Sequence, residues 1–318
     1  MRPETGGLIV TIQQPKPAEA ATDFSNGAAY VNGEFIPVAD ATISILDFGV
    51  TRSDCTYDVV HVWKGRFFRV DQHLDRFMRS IEKLRLKLPF DRAGLEDTLH
   101  KCVTLTGLED AYVSMTCTRG RPLTGSRDPR LARNNFYCFA VPFVWLATLE
   151  EQRHGMAMHV SSIPRIPGES IDPTIKNYNR LDFQMSLIEA CDAGAQFVVL
   201  KDFEGNITEG LGYNVFALHG GRWTTPSKGV LEGITRMTVL DLCKELNVSA
   251  EAGVLSEQAL RNADEILVTS TAGGVMPVVT LDGKKVGDGA PGPVTTRLQQ
   301  LYWKKHTDPA WSTPVRRG

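Results

Sequence analysis

The chain has 318 residues, 42% of them apolar and 23% charged, with 28 Gly and 17 Pro; this profile suggests about two globular domains and excludes collagen-like, coiled-coil and disordered classes. Thirty-five Lys and Arg nearly cancel 37 Asp and Glu, leaving a net charge of −2, so no global field draws the protein to nucleic acid or to an anionic membrane. Six cysteines, Cys55, Cys102, Cys117, Cys138, Cys191 and Cys243, include no C-x-x-C pair, which argues against a zinc ribbon or a disulfide scaffold and for reduced thiols in the cytoplasm.

Residues 1–27 are rich in Pro, Ala, Thr and Gly and lack periodicity, so they read as an N-terminal arm. Their apolar run, Leu8 to Val10, is too short for the core of a signal peptide. Asn32-Gly33, set between short apolar runs, predicts a tight hairpin in AAYVNGEFIPV, and Lys64-Gly65 predicts a second in VVHVWKGRFFRV. From His73, the residues Leu74, Phe77, Met78, Ile81 and Leu84 recur at helical spacing, giving an amphipathic helix whose core stripe leaves out Arg76 and Arg79.

Residues 92–106 read as another helix, and 111–118 and 135–145 as strands flanking a loop that carries five arginines between Arg119 and Arg133. The longest mainly apolar stretch, Phe136 to Leu149, contains Pro142 and falls short of the ~20 residues a membrane span needs. After a polar stretch at 148–155, strands are expected near 157–162, 196–201, 213–218 and 265–269, with helices near 180–192, 235–246, 256–262 and 293–303. This mixture predicts an α/β (α+β) fold with a small domain over 28–146 and a larger one over 147–318. No fixed-period repeat is visible.

The sequence has no G-x-x-x-x-G-K-[ST], no G-x-G-x-x-G after a strand, no H-E-x-x-H and no G-x-S-x-G, so nucleotide, zinc-protease and α/β-hydrolase chemistry lose their usual signposts. Seven scattered histidines give no metal-ligand spacing, and no metal is expected. Chemistry is suggested instead by an ordered series of short segments: HLDR (73–76), SIDPTIKNYNR (170–180), NITEGLGYNVFA (206–217), GVLEGITR (229–236) and TSTAGGVMP (269–277). Taken alone, Lys176 reads as a surface lysine and Glu209 as a solvated acid at a strand end. GVLEGITR leads into a helix, so Gly233, Ile234 and Thr235 would present free backbone N–H groups at the positive end of a dipole, a ready cup for a phosphate.

Taken together, the five segments resemble the class IV aminotransferases, the pyridoxal phosphate enzymes of fold type IV, from about Tyr30 to the C-terminus. The resemblance implies two α/β domains with the cofactor in the cleft between them, and a homodimer whose pocket is completed across the interface. It makes Lys176 the Schiff-base lysine, which also shuttles the substrate proton; desolvation and a neighbouring cation are the usual means of making such an amine nucleophilic. Glu209 would pair with the pyridine nitrogen and keep it protonated. Ile234 and Thr235 would bind the phosphate with Gly233, the Thr271 hydroxyl and the Arg76 guanidinium, while Leu231 packs on the ring.

The segment DFGVTRSDCTYDVVHVWKGRFFRVDQHLDR (47–76) is most similar to the (R)-selective amine transaminases, through Arg52, Ser53-Asp54-Cys55-Thr56-Tyr57 and His61-Val62-Trp63. That branch implies a substrate pocket of Tyr57, Val59 and Tyr112, joined by Arg52 and Ala272. It also implies a mobile carboxylate-binding arginine, for which Arg127 is the candidate. One position departs from the pattern: Arg180 stands where relatives carry Trp or Tyr. A cation there would favour acidic or carboxylate-bearing substrates, or form a structural pair with Asp182 or Glu169.

The implied activity moves an amino group from an (R)-amine or D-amino acid to a 2-oxo acid such as pyruvate by a ping-pong route. Branched-chain L-amino acid transamination and a lyase reaction like that of aminodeoxychorismate lyase are the alternatives. The arginine-rich loop has no aromatic residue for base stacking, so RNA is not expected as a partner.

Overall fold

The computed structural model describes residues 22–124 and 126–317. Most of the arm expected over residues 1–27 therefore lies outside the described residues. The first sheet has seven strands, in the order Ser312–Pro314, Arg66–Phe68, Cys55–Trp63, Ala111–Arg121, Arg133–Pro142, Ala28–Val31 and Glu34–Pro37. Every neighbouring pair in it is antiparallel.

Both expected hairpins are present. Asn32 and Gly33 have φ of 55° and 94°, and Lys64 and Gly65 have φ of 51° and 70°. Two successive residues at positive φ make the turn whose twist matches that of the flanking strands. Helices Val70–Lys83 and Arg92–Thr106 cover one face of this sheet, burying Leu74, Phe77, Leu95 and Leu99 against Val60, Val62, Val113 and Met115. The second helix has the limits its sequence suggests. The Asp91 side chain accepts from the Gly94 N–H at its start, and Gly107 closes it in the left-handed conformation.

The strand expected over 135–145 stops at Pro142. Residues 143–147 instead form the passage to the second sheet, and Phe143 and Trp145 pack edge-on against Trp63 at 5.7 and 5.8 Å between ring centroids. Along its main path the second sheet runs Ser249–Gly253, Arg222–Pro226, Tyr213–His219, Glu265–Ser270, Gly274–Leu281, Met156–Val160 and Phe197–Val199. Short strands Glu209–Gly210 and Lys284–Lys285 attach to it at Tyr213–His219 and Gly274–Leu281. Helices Ile234–Glu245 and Pro293–Lys304 pack on one face through Val239, Leu242, Leu298 and Tyr302.

Two features of this half escape sequence reasoning. The strand Gly274–Leu281 carries Pro277 opposite Leu267, and a proline inside a run argues against a central strand because it cannot donate to the ladder. The last strand, Ser312–Pro314, pairs with Arg66–Phe68, so the end of the chain returns to the sheet built by residues 28–142. Backbone pairing over so long a separation leaves no local mark.

Candidate active site

A cavity of about 290 Å³ lies between the two sheets, near the lower end of the range for small-molecule sites. One wall comes from the strand Cys55–Trp63, which is buried along almost its whole length. Alternate side chains of a strand face opposite ways. Val60 and Val62 therefore enter the core beneath the helices, whereas Tyr57 and Val59 line the cavity. Tyr112, on the neighbouring strand opposite His61, extends the same wall.

Lys176 lies on the loop that precedes helix Leu181–Asp192. Its carbonyl accepts from the Tyr57 N–H at 3.0 Å and from Thr56 Oγ1 at 2.8 Å, which fastens the loop from the second half of the chain to the wall from the first. Its Nζ sits 4.7 Å from the centre of the Tyr57 ring. That ring stacks on Tyr178 at 4.4 Å, and the Tyr57 Oη accepts from Arg180 Nη1 at 2.7 Å.

Glu209 is buried at the cavity, on the short strand Glu209–Gly210. The Leu231 N–H donates to its Oε2 at 2.9 Å, and Arg165 Nη2 lies 3.6 Å from Oε1. Burial pushes this carboxyl above its ordinary range, while Arg165, the Leu231 N–H and Lys176 pull in the opposite direction. Arg165 is itself held at 2.7 Å by Asp182.

Leu231, Gly233, Ile234 and Thr235 line the cavity at the start of helix Ile234–Glu245, where no side chain caps the first turn. A Cβ on Gly233 would come within 2.1 Å of Asn214 Oδ1, and Asn214 Nδ2 donates to the Leu231 carbonyl at 2.9 Å. The glycine lets the polypeptide pass close to a side chain that braces both Leu231 and the Glu209 region. Thr271 and Ala272 also face the cavity, from the turn joining Glu265–Ser270 to Gly274–Leu281.

Arg76 lies off the apolar stripe of its helix, as its position suggests, yet it is buried rather than solvated. Nε and Nη2 donate to the two oxygens of buried Asp58 at 2.7 and 2.8 Å, and Nη1 reaches the Glu232 carbonyl at 3.1 Å. His73 Nδ1 adds a contact to Asp58 at 2.8 Å. Burial alone would raise the Asp58 carboxyl; the guanidinium and His73 outweigh it and hold the group well below the usual carboxylate range. Arg76 thus stands beside the helix start with its guanidinium oriented by Asp58.

Thirteen of the residues expected at the site share this cavity, namely the eight cofactor positions with Tyr57, Val59, Tyr112, Arg180 and Ala272. Arg52 and Arg127 do not line it. Arg52 is exposed with its guanidinium 3.8 Å over the Phe48 ring, and Arg127 is exposed on the arginine-rich loop. Asp182 pairs with Arg165, which removes it as a structural partner for Arg180. Sequence reasoning misses Asp58, Arg165 and Asn214. Only Asp58 has a local signal, its alternation with Tyr57 and Val59 on one strand.

The residues fit pyridoxal phosphate on structural grounds. The helix start without a side-chain cap suits a phosphate, and the buried Thr269 Oγ1 on the cavity wall has no partner among the described residues. Glu209 provides a buried carboxylate for a ring nitrogen, and Lys176 lines the same cavity. A two-domain α/β enzyme that holds pyridoxal phosphate in its central cleft is the class that this fold and site define.

Residues 56–281 match the family model of amino-transferase class IV. The chain is 31% identical over 277 residues to the D-alanine aminotransferase of Bacillus licheniformis, covering 84% of this chain and 93% of that protein. The crystal structure of a T.th. branched-chain amino acid aminotransferase with pyridoxamine 5′-phosphate aligns with a TM-score of 0.85 at 28% identity, over 92% of this chain and 100% of the other. The Escherichia coli branched-chain amino acid aminotransferase aligns with a TM-score of 0.86 at 26% identity, over 93% and 100%. The chain belongs to the class IV aminotransferases, and it is a pyridoxal-phosphate-dependent aminotransferase of fold type IV.

Proposed function

We propose that this aminotransferase moves the amino group of an (R)-amine or a D-amino acid to a 2-oxo acid such as pyruvate, in two ping-pong half-reactions. The observation that carries the reading is the wall formed by Tyr57, Val59 and Tyr112 on adjacent strands beside Lys176. These are the pocket positions that the segment 47–76 and its neighbouring strand imply for the (R)-selective branch. The similarity to a D-alanine aminotransferase supports the same stereochemistry.

Bound pyridoxal phosphate supplies an electron sink for the carbon that loses its proton. Lys176 Nζ binds the cofactor and then carries the proton between the two carbon atoms that exchange it. Glu209 holds a proton on the ring nitrogen. The N–H groups of Ile234 and Thr235, with Arg76 and the Thr271 hydroxyl, orient the phosphate. The Tyr57 ring, backed by Tyr178, covers one side of the amine.

The test is the visible absorbance of the cofactor-loaded protein as it receives (R)-1-phenylethylamine, its (S) enantiomer, D-alanine or L-leucine in separate samples. Bleaching by the (R)-amine and D-alanine, reversed by pyruvate, is expected. The branched-chain enzymes among the solved structures favour L-leucine as the second reading, and bleaching by L-leucine alone would establish it.

The working unit on this reading is a homodimer in the cytoplasm. Leu181, Met185 and Ile188 lie exposed at helical spacing on helix Leu181–Asp192, next to Phe183 and Gln184 of the cavity wall. Such an apolar stripe suits coverage by a second copy. The expected sedimentation of the wild type is that of a dimer, and Leu181→Arg with Ile188→Glu shifts it to a monomer; a monomeric wild type would end this part of the reading.

A further inference from the structure

Three guanidinium groups line the cleft, and two of them already have their counter-charge. Arg76 is bidentate on Asp58, and Arg165 lies 2.7 Å from Asp182 and 3.6 Å from Glu209. Arg180 differs. Among the described residues its polar partner is the neutral phenol of Tyr57, reached through Nη1, and no carboxylate stands within ion-pair distance. Asp182 is engaged by Arg165 and by the Ile166 and Phe183 N–H groups, and Glu169 forms no pair with it.

Nε and Nη2 of Arg180 are left without a protein acceptor among the described residues. Nη2 packs beside the turn at Gly212, where an added Cβ would touch it at 3.6 Å, and Arg180 itself lines the cavity. A half-buried guanidinium is always charged, and a neutral hydrogen bond does not offset its desolvation as an anion would. A carboxylate fits the free edge bidentately. Its position also fits the chemistry: the guanidinium carbon lies 5.9 Å from the Tyr57 ring centre, and Lys176 Nζ lies 4.7 Å from the same centre. One aromatic plate therefore carries both the reacting amine and the unmatched cation.

We propose that Arg180 recognises the substrate carboxylate, in donor and acceptor alike, with Tyr57 holding the guanidinium in place for it. The proposal rests on the aminotransferase reading of the cleft given above. Among the donors of that reading it gives amino acids an advantage over plain amines, through a residue on the lysine loop rather than on the arginine-rich loop.

The experiment compares wild type, Arg180→Gln, Arg180→Lys and Tyr57→Phe holoenzymes in single half-reactions with (R)-1-phenylethylamine, D-alanine and D-glutamate. Calorimetric binding of propionate, a carboxylate with no amine or ketone to react, is measured alongside. In Arg180→Gln the rate constant for D-alanine relative to phenylethylamine is expected to fall about 30-fold, and propionate to bind about tenfold more weakly, the scale of a lost charge-assisted hydrogen-bond pair. Arg180→Lys should restore part of both, having the charge without the fork.

A relative loss shared by D-alanine and D-glutamate supports the proposal; a loss confined to D-glutamate would assign Arg180 to a side-chain carboxylate and overturn it, because D-alanine and pyruvate carry no other carboxylate than the α-carboxylate. Equal losses for all three donors with propionate affinity unchanged, reproduced by Tyr57→Phe, would overturn it, because Arg180 would then act only through Tyr57. Wild type that bleaches with no donor refutes the proposed function instead, and the propionate measurement then still decides whether Arg180 binds a carboxylate.

Discussion

Lys176→Ala is expected to lower the rate constant of either half-reaction by about 10⁴-fold or more, the upper range for removing a positioned acid–base group. The fold should survive this change. The contacts that fasten the lysine loop to the cavity wall are made by the Lys176 carbonyl, to the Tyr57 N–H and to Thr56 Oγ1, and alanine keeps that carbonyl. What disappears is the amine facing the Tyr57 ring, with no substitute base at the same position. Stopped-flow absorbance on the purified variant, with its melting temperature as a control, measures both effects. Partial recovery of the rate with added methylamine would confirm that the missing function is proton transfer. A variant retaining a tenth of wild-type activity with an unchanged melting temperature would remove Lys176 from the chemistry.

Glu209→Gln should cost about 10³-fold in kcat, or about 4 kcal/mol of barrier, while weakening cofactor binding by less than about tenfold. Glutamine preserves the size of the side chain and an oxygen to accept the Leu231 N–H. It removes the negative charge that would hold a proton on the ring nitrogen, and it leaves Arg165 to Asp182 alone. The residues proposed to hold the phosphate lie elsewhere, at the helix start and at Arg76, so affinity is expected to depend little on this carboxylate. Single-turnover kinetics and equilibrium dialysis separate the two quantities. Equal losses in rate and affinity would make Glu209 a binding group and nothing more.

The legible parts of this protein are those whose cause is local. Asn32-Gly33 and Lys64-Gly65 specify their turns because two consecutive residues must accept positive φ, and each pair does. Helix Arg92–Thr106 begins at an Asp cap and ends at a left-handed Gly, both written in adjacent residues. The site segments were legible through their order and spacing as a set. Lys176 and Glu209, read singly, resemble solvated surface residues, and neither position reveals that Lys176 is fastened to the first half of the chain at Thr56 and Tyr57 or that Glu209 is buried beside Arg165 and Leu231.

The sequence by itself determined the α/β (α+β) architecture and the cofactor class, and it pointed to thirteen residues that the fold brings to one cavity, since each depends on short motifs held at family spacing. Only the tertiary structure decided the state of the charges. Asp58 neutralises Arg76 because strand alternation turns it under the helix that carries His73 and Arg76. Asp182 goes to Arg165 and leaves Arg180 without an acid, although Asp182 is two residues from Arg180 and seventeen from Arg165. Arg52, which lies over the Phe48 ring, and Arg127 do not line the cavity. Ion pairing follows distance in space and burial, which reward partners from distant segments, and no pattern of neighbours along the chain encodes which cation is left over.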